Sequence, residues 1–129
     1  MVCLIWCLFV ACLLPYVAKI PLAIAMKREP GGYDNNHPRA QQAGLTGFGA
    51  RALAAHQNSF ESLIVFSAAV LTALSTQHIT IAIQNLALVY VVMRGVYLFL
   101  YCINWATLRT CIWAIGLLAS LSIIWLCIP

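Results

Sequence analysis

From Ile79 to Ile103 the chain reads ITIAIQNLALVYVVMRGVYLFLYCI, an apolar run that carries a single charge, Arg94. A helix needs about 20 apolar residues to cross the roughly 30 Å of bilayer hydrocarbon, and this run supplies them. Three more runs of the same kind, at about residues 2–26, 47–74 and 108–128, occupy most of the remaining sequence. The 129 residues are 64% hydrophobic and 8% charged, far below the charged share of about 25% in a soluble domain. The reading is an all-α membrane protein, a bundle of four transmembrane helices in a single domain over residues 1–129, with no length left for a second domain. A signal peptide competes for the first run, because Ala23, Ile24 and Ala25 make a small-x-small end, but no positive residue precedes the apolar stretch.

Between the first two spans, at about residues 27–46, the composition changes. Lys27, Arg28, Glu29, Pro30, Gly31, Gly32, Asp34, Asn35, Asn36, Pro38 and Arg39 make a polar loop dense in turn formers. Its excess of Lys and Arg, continued by Arg51, puts it on the cytoplasmic side, so both termini are expected on the other side. Seven Lys and Arg give a formal charge of +4, but they are scattered and form no basic stripe, which excludes a nucleic-acid partner. The six cysteines lie in or beside the apolar runs without a Cys-x-x-Cys pair and read as small buried hydrophobes.

An ionisable side chain inside the hydrocarbon costs about 2.5–3.5 kcal/mol, so each needs a partner, a cavity or a route to the interface. Lys19 has such a route, by snorkelling. On the second span Arg51, Asn58 and Glu61, and on the third Arg94, Tyr97, Tyr101 and Asn104, recur at helical spacing and form two polar stripes. The two helices run in opposite directions, so Glu61 and Arg94 come to similar depths and are expected to pair. That pair serves either to fix helix register or as part of a ligand site. Arg51 is a natural bidentate donor to a carboxylate, and Tyr97 and Tyr101 read either as ligand contacts or as interfacial aromatics. His56 has no second ligand at metal-binding spacing and reads as a packing or subunit-contact residue; no metal site is expected.

The run Arg51-Ala-Leu-Ala-Ala-His56-Gln-Asn58-Ser-Phe-Glu61 with Arg94-Gly-Val-Tyr97-Leu-Phe-Leu-Tyr101 resembles the MAPEG family, membrane-associated proteins in eicosanoid and glutathione metabolism, and the loop around Tyr33, Asp34, Asn35, Pro38 and Arg39 looks most like its bacterial members. The resemblance implies a homotrimer of four-helix subunits with glutathione as co-substrate, bound between subunits near the cytoplasmic side. It carries Arg51, Asn58, Glu61, Arg94, Tyr97 and Tyr101 over as glutathione-binding residues, and Arg109, near the start of the fourth span, as the catalytic cation that stabilises the thiolate. Two departures stand out: Ala54 where catalytic members usually carry a second arginine, and Gln57 where some carry a basic residue.

The expected function is a glutathione-dependent transferase or peroxidase acting on lipophilic electrophiles that enter from the membrane lipids. The alternative, motivated by Ala54 and Gln57, is a non-catalytic lipid-binding or partner-binding scaffold. A transporter would need broken spans for alternating access, and none is seen.

Overall fold

Residues Val2–Arg28 form helix α1, which continues through Pro15 and Pro21 although neither can donate a backbone hydrogen bond. The computed structural model describes residues 1–129, and α1 is followed by α2 (Pro38–Ala43), α3 (Gly47–Ser75), α4 (Ile81–Cys102) and α5 (Ala106–Trp125). The four long helices are each long and apolar enough to cross a membrane, and together they make an all-α, four-helix membrane bundle. Its outer surface is apolar: Trp6, Phe9, Ile64, Phe99, Leu118 and Trp125 are all exposed. In lipid such a surface is solvated, and the helices meet most of their backbone hydrogen bonds internally.

Inside the bundle each helix buries one narrow seam. On α1 the buried positions Leu4, Cys7, Ala11, Pro15, Ala18, Leu22 and Ala25 follow each other at three- and four-residue steps, and many are small. Opposite them α3 presents Gly49, Ala52, Ala55 and Ser59, so the two backbones pack closely. His56 Nδ1 bonds the Pro15 carbonyl oxygen at 2.9 Å. A carbonyl only accepts, so Nδ1 carries the hydrogen, and this histidine packs α3 onto α1 at a proline.

The core is stratified. Leu4, Phe66, Val70, Ile83, Tyr90 and Ile123 belong to one large apolar cluster away from the loop end, where Phe66 and Tyr90 stack with centroids 3.8 Å apart and planes 4° from parallel. A smaller cluster of Leu22, Met26, Leu45 and Ala52 closes the loop end. Between the two lies the layer that holds the buried Ser59 and Arg94.

The polar segment is more ordered than its composition implies, because it contains α2, which the sequence reading leaves as loop. Gly31 has φ 90° and follows Pro30, the arrangement of a type II turn, closed by Gly32 N–H donating to the Glu29 carbonyl at 2.9 Å. Asp34 Oδ1 then accepts from the backbone N–H groups of Asn36 and His37 at 2.8 and 2.9 Å, and Pro38 starts α2 at a position where a missing N–H costs nothing. Gln41 fastens the assembly: its Nε2 donates to the carbonyls of Met26 (3.1 Å) and Gly32 (2.7 Å), and its Oε1 accepts from Asp34 N–H (3.0 Å).

At the α4–α5 connection, Asn104 has φ 63° and is exposed beyond the helix end. Its N–H donates to the Tyr101 carbonyl and that of Trp105 to the Leu100 carbonyl, the bond pattern of a Schellman helix stop. Asn104 thus belongs to a turn and not to the polar stripe of α4, and α5 begins at Ala106 instead of near 108.

The long helices differ in length. At about 1.5 Å per residue, α1 with 27 residues and α3 with 29 extend about 40 Å or more; α4 with 22 and α5 with 20 extend about 30 Å. Ala18 and Pro21 of α1 and Ala55 of α3 line the same groove as Cys102, the last residue of α4. The surplus of α1 and α3 therefore rises above the ends of α4 and α5, and α2 lies against that ledge.

Candidate functional site

The middle layer of the bundle is built by α3 and α4. Arg94 is 2% exposed, and its cost in an apolar interior is offset by three contacts. Nη1 donates to Asn58 Oδ1 at 3.1 Å, Nη2 donates to Ser59 Oγ at 3.4 Å, and the guanidinium carbon lies 4.2 Å from the centroid of the Tyr97 ring. Ser59 can accept because its own hydrogen goes to the Ala55 carbonyl at 2.8 Å.

The expected direct pairing of Glu61 with Arg94 is not what the structure has. No Arg94–Glu61 contact falls within ion-pair distance; the nearest such approach in the chain is His37 Nδ1 to Asp34 Oδ2 at 3.8 Å, an ion pair only when the histidine is protonated. Instead Asn58 stands between the two charges, accepting from Arg94 and donating through Nδ2 to Glu61 Oε2 at 3.1 Å. The spacing explains it: Asn58 and Glu61 are one turn apart on the same face, and the shorter Asn side chain points into the bundle while Glu61 is exposed.

From Arg94 the chain of contacts continues toward the loop end. Tyr97 meets Tyr101 edge to face with centroids 5.4 Å apart, and the Arg109 guanidinium carbon of α5 sits 4.0 Å from the centroid of the Tyr101 ring. Glu61, Asn58, Arg94, Tyr97, Tyr101 and Arg109 thus form one continuous file across three helices. Glu61 and Asn58 also line a cleft of about 170 Å³ between α3 and α5, with Ser62, Trp113 and Ser120.

Arg51 stands apart, about two turns along α3 from Asn58. It is half-buried, and its Nε is a buried nitrogen without a hydrogen-bond partner. Gln57 turns away from the file and lines a different cavity with Lys19 and His56.

Three participants escape the sequence reading: Ser59, Ser62 and Tyr90. Ser62 Oγ and Tyr90 Oη lie 3.0 Å apart. Their signal was available, since Tyr90 precedes Arg94 by one turn and the serines adjoin Asn58 and Glu61, but short hydroxyls in an apolar run do not stand out. No group of three or more His, Cys, Asp or Glu residues comes together.

Four membrane-length helices around a buried arginine, with tyrosines and a carboxylate on facing spans, mark an integral membrane protein with a polar layer inside an apolar bundle. The family model described as the MAPEG family matches residues 3–129, and the chain belongs to that family. Members of the family include glutathione transferases and peroxidases, among others. Searches of curated proteins and of solved structures return no match.

Proposed function

We propose that the protein is a glutathione-dependent transferase or peroxidase of lipophilic electrophiles, working as a homotrimer in a bacterial inner membrane with its loop end cytoplasmic and both termini on the opposite side. The observation that carries the reading is the continuous file from Glu61 through Asn58, Arg94, Tyr97 and Tyr101 to Arg109.

The donor set fits the tripeptide. Glutathione offers two carboxylates, one ammonium and one thiol; against these stand Arg51 with a free buried Nε, the Glu61 carboxylate on an open cleft, the Tyr97 and Tyr101 hydroxyls, and Arg109. Arg51 would bind a carboxylate and Glu61 the ammonium, while Arg94, buried and already bonded to Asn58 and Ser59, positions Asn58 and Tyr97. Arg109 is the candidate catalytic residue. A cation beside a thiol with an ordinary pKa of about 8.5 raises the thiolate fraction at neutral pH.

The thiolate sulfur would then form a bond to an electrophilic carbon, the leaving group departing with its electron pair. With a hydroperoxide the sulfur instead takes the terminal oxygen, releasing an alcohol; a second glutathione converts the sulfenic acid to the disulfide and water.

A second reading, a scaffold without chemistry, is favoured by one observation. Arg94 is satisfied by the protein itself, and Ala54 and Gln57 supply no further cation. Calorimetry of glutathione binding to the detergent-solubilised protein, with Arg51→Ala and Glu61→Gln alongside, tests both. Saturable binding weakened in both variants, followed by turnover on a panel of lipophilic electrophiles, supports the enzyme; wild-type protein that binds no glutathione leaves the scaffold.

A further inference from the structure

The cleft between α3 and α5 has a polar side, made by Asn58 and Glu61, and an apolar side made by Val65, Trp113 and Leu117. Its volume of about 170 Å³ is close to the roughly 150 Å³ of a cavity that takes up benzene, so it holds one ring or a short alkenyl segment and not a whole lipid chain. Trp113 lies one turn along α5 from Arg109. A ring against its indole is therefore within a turn of the cation assigned to the thiolate.

One hydroxyl of this cleft behaves unlike others in the bundle. Ser59, Thr72, Thr110 and Ser120 each donate to the carbonyl four residues back, at 2.8–3.1 Å, the common habit of a hydroxyl within a helix. Ser62 lines the cleft but turns from its own helix toward α4, where its Oγ lies 3.0 Å from Tyr90 Oη.

By distance alone either oxygen could be the donor, and burial decides between them. Tyr90 is 2% exposed, its ring is fixed by the parallel stack on Phe66, and Ser62 is the only hydrogen-bond partner of its hydroxyl. Were Ser62 the donor, the phenol hydrogen would be buried without an acceptor, at a cost of about 1–3 kcal/mol. Tyr90 therefore donates and Ser62 accepts. The Ser62 hydrogen is left without a protein acceptor, on the wall of the cleft.

We propose that Ser62 is the specificity-determining residue of this cleft, its hydroxyl donating to an oxygen of the lipophilic substrate, with Tyr90 as the positioning residue that keeps that hydroxyl turned to the ligand. The substrate class is then an oxygen electrophile, a lipophilic hydroperoxide, epoxide or conjugated ketone, in preference to an alkyl halide. As the thiolate sulfur forms its bond, the electron pair of the breaking O–O or C–O bond, or of the conjugated double bond, moves onto that oxygen, which takes its proton from water. Ser62 supplies the hydrogen bond that meets the developing charge. The substrate class rests on the glutathione reading above, whereas the free donor does not.

Two measurements separate the donor from that reading. The first is calorimetric binding, in detergent, of acetophenone, whose oxygen can only accept, against α-methylstyrene, which has the same shape with a methylene in place of the oxygen. Wild-type protein is expected to prefer acetophenone, Ser62→Ala and Tyr90→Phe each to lose about tenfold of that preference, the worth of one hydrogen bond, and Ser62→Thr to retain it. The second is the ratio of kcat/KM for cumene hydroperoxide to that for benzyl chloride with glutathione present, which is expected to fall by a similar factor in the same two variants. Tyr90→Phe keeps the ring on Phe66, and a merely structural role would lower both substrates together and leave the ratio unchanged. Wild-type protein that binds neither ketone nor alkene or shows no preference, a preference that survives in Ser62→Ala, or an unchanged kcat/KM ratio in that variant overturns the proposal. A preference that depends on Ser62, in a protein that turns over neither probe, upholds the donor and sinks the transferase or peroxidase reading instead.

Discussion

Arg94 reaches Asn58 Oδ1 at 3.1 Å and leaves Glu61 to the other end of the same amide. One neutral side chain thereby serves two opposite charges that do not touch. Asn58→Leu is expected to strip a partner from each, at a cost of about 3 kcal/mol, seen as a lowered thermal midpoint in detergent together with lost glutathione binding. Glu61→Gln, which keeps an acceptor for the Asn58 amide, is expected to cost under about 1 kcal/mol in stability while still weakening binding.

Arg109 lies over the Tyr101 ring and has no ion-pair partner. In the proposed enzyme, Arg109→Ala should leave glutathione affinity near the wild-type value and lower the rate. Its rate-against-pH curve should move toward the ordinary thiol value of about 8.5. A loss of affinity with an unchanged pH profile would assign Arg109 to binding instead.

Gln41 makes three hydrogen bonds that tie α1, the turn and α2 together. Gln41→Leu should cost about 1.5–3 kcal/mol, at roughly 0.5–1 per bond, and should make residues 29–37 sensitive to limited proteolysis. Glutathione binding at the α3–α4 layer should change little.

The backbone N–H of His37, then that of Asn36 and the nearby His37 ring, hold the Asp34 carboxyl below its ordinary range. A lowered folded-state value means that Asp34 stabilises the folded loop fully above its unfolded value, and that this support is lost as the pH falls from there through the folded value. Amide exchange at Asn36 and His37, corrected for the intrinsic rate, should therefore accelerate as the solution is acidified through that window. In Asp34→Ala it should be fast at every pH.

Asn104 occupies the left-handed region, where asparagine is tolerated and a β-branched residue is strained by about 1–2 kcal/mol. Asn104→Val should lower the unfolding midpoint and Asn104→Gly should leave it unchanged or raise it. Glutathione affinity should be the same in both, since Asn104 lies outside the file.

The spans were legible because four apolar runs of membrane-crossing length have no soluble alternative, and the family was legible because the run from Arg51 through His56 and Asn58 to Glu61, with Arg94, Tyr97 and Tyr101 on the next span, resembles it as a pattern of residues. Spacing along a helix reports the face but not the reach of a side chain, which is why Glu61 and Arg94 read as a direct pair when Asn58 intervenes. Asn104 shows the same limit at a helix end: it continues the stripe in sequence, but the helix has already stopped at Cys102. The order of the 29–46 segment was hidden for another reason. It depends on Gln41 and Asp34 bonding to main-chain groups, and a polar composition looks the same with or without those bonds.

The ledge formed by α1 and α3 makes the bundle a gauge of membrane thickness. α5, at about 30 Å, matches an average hydrocarbon layer with nothing to spare, whereas α1 and α3 carry their surplus on one side only. A bilayer a few ångströms thicker would rise over that step and submerge Lys19 and Arg51 before it exhausted the longer helices, at about 2.5–3.5 kcal/mol for each charge left without a route to water. The step is therefore matched to a hydrocarbon layer of about 30 Å, and thickening the lipid should weaken the loop end first.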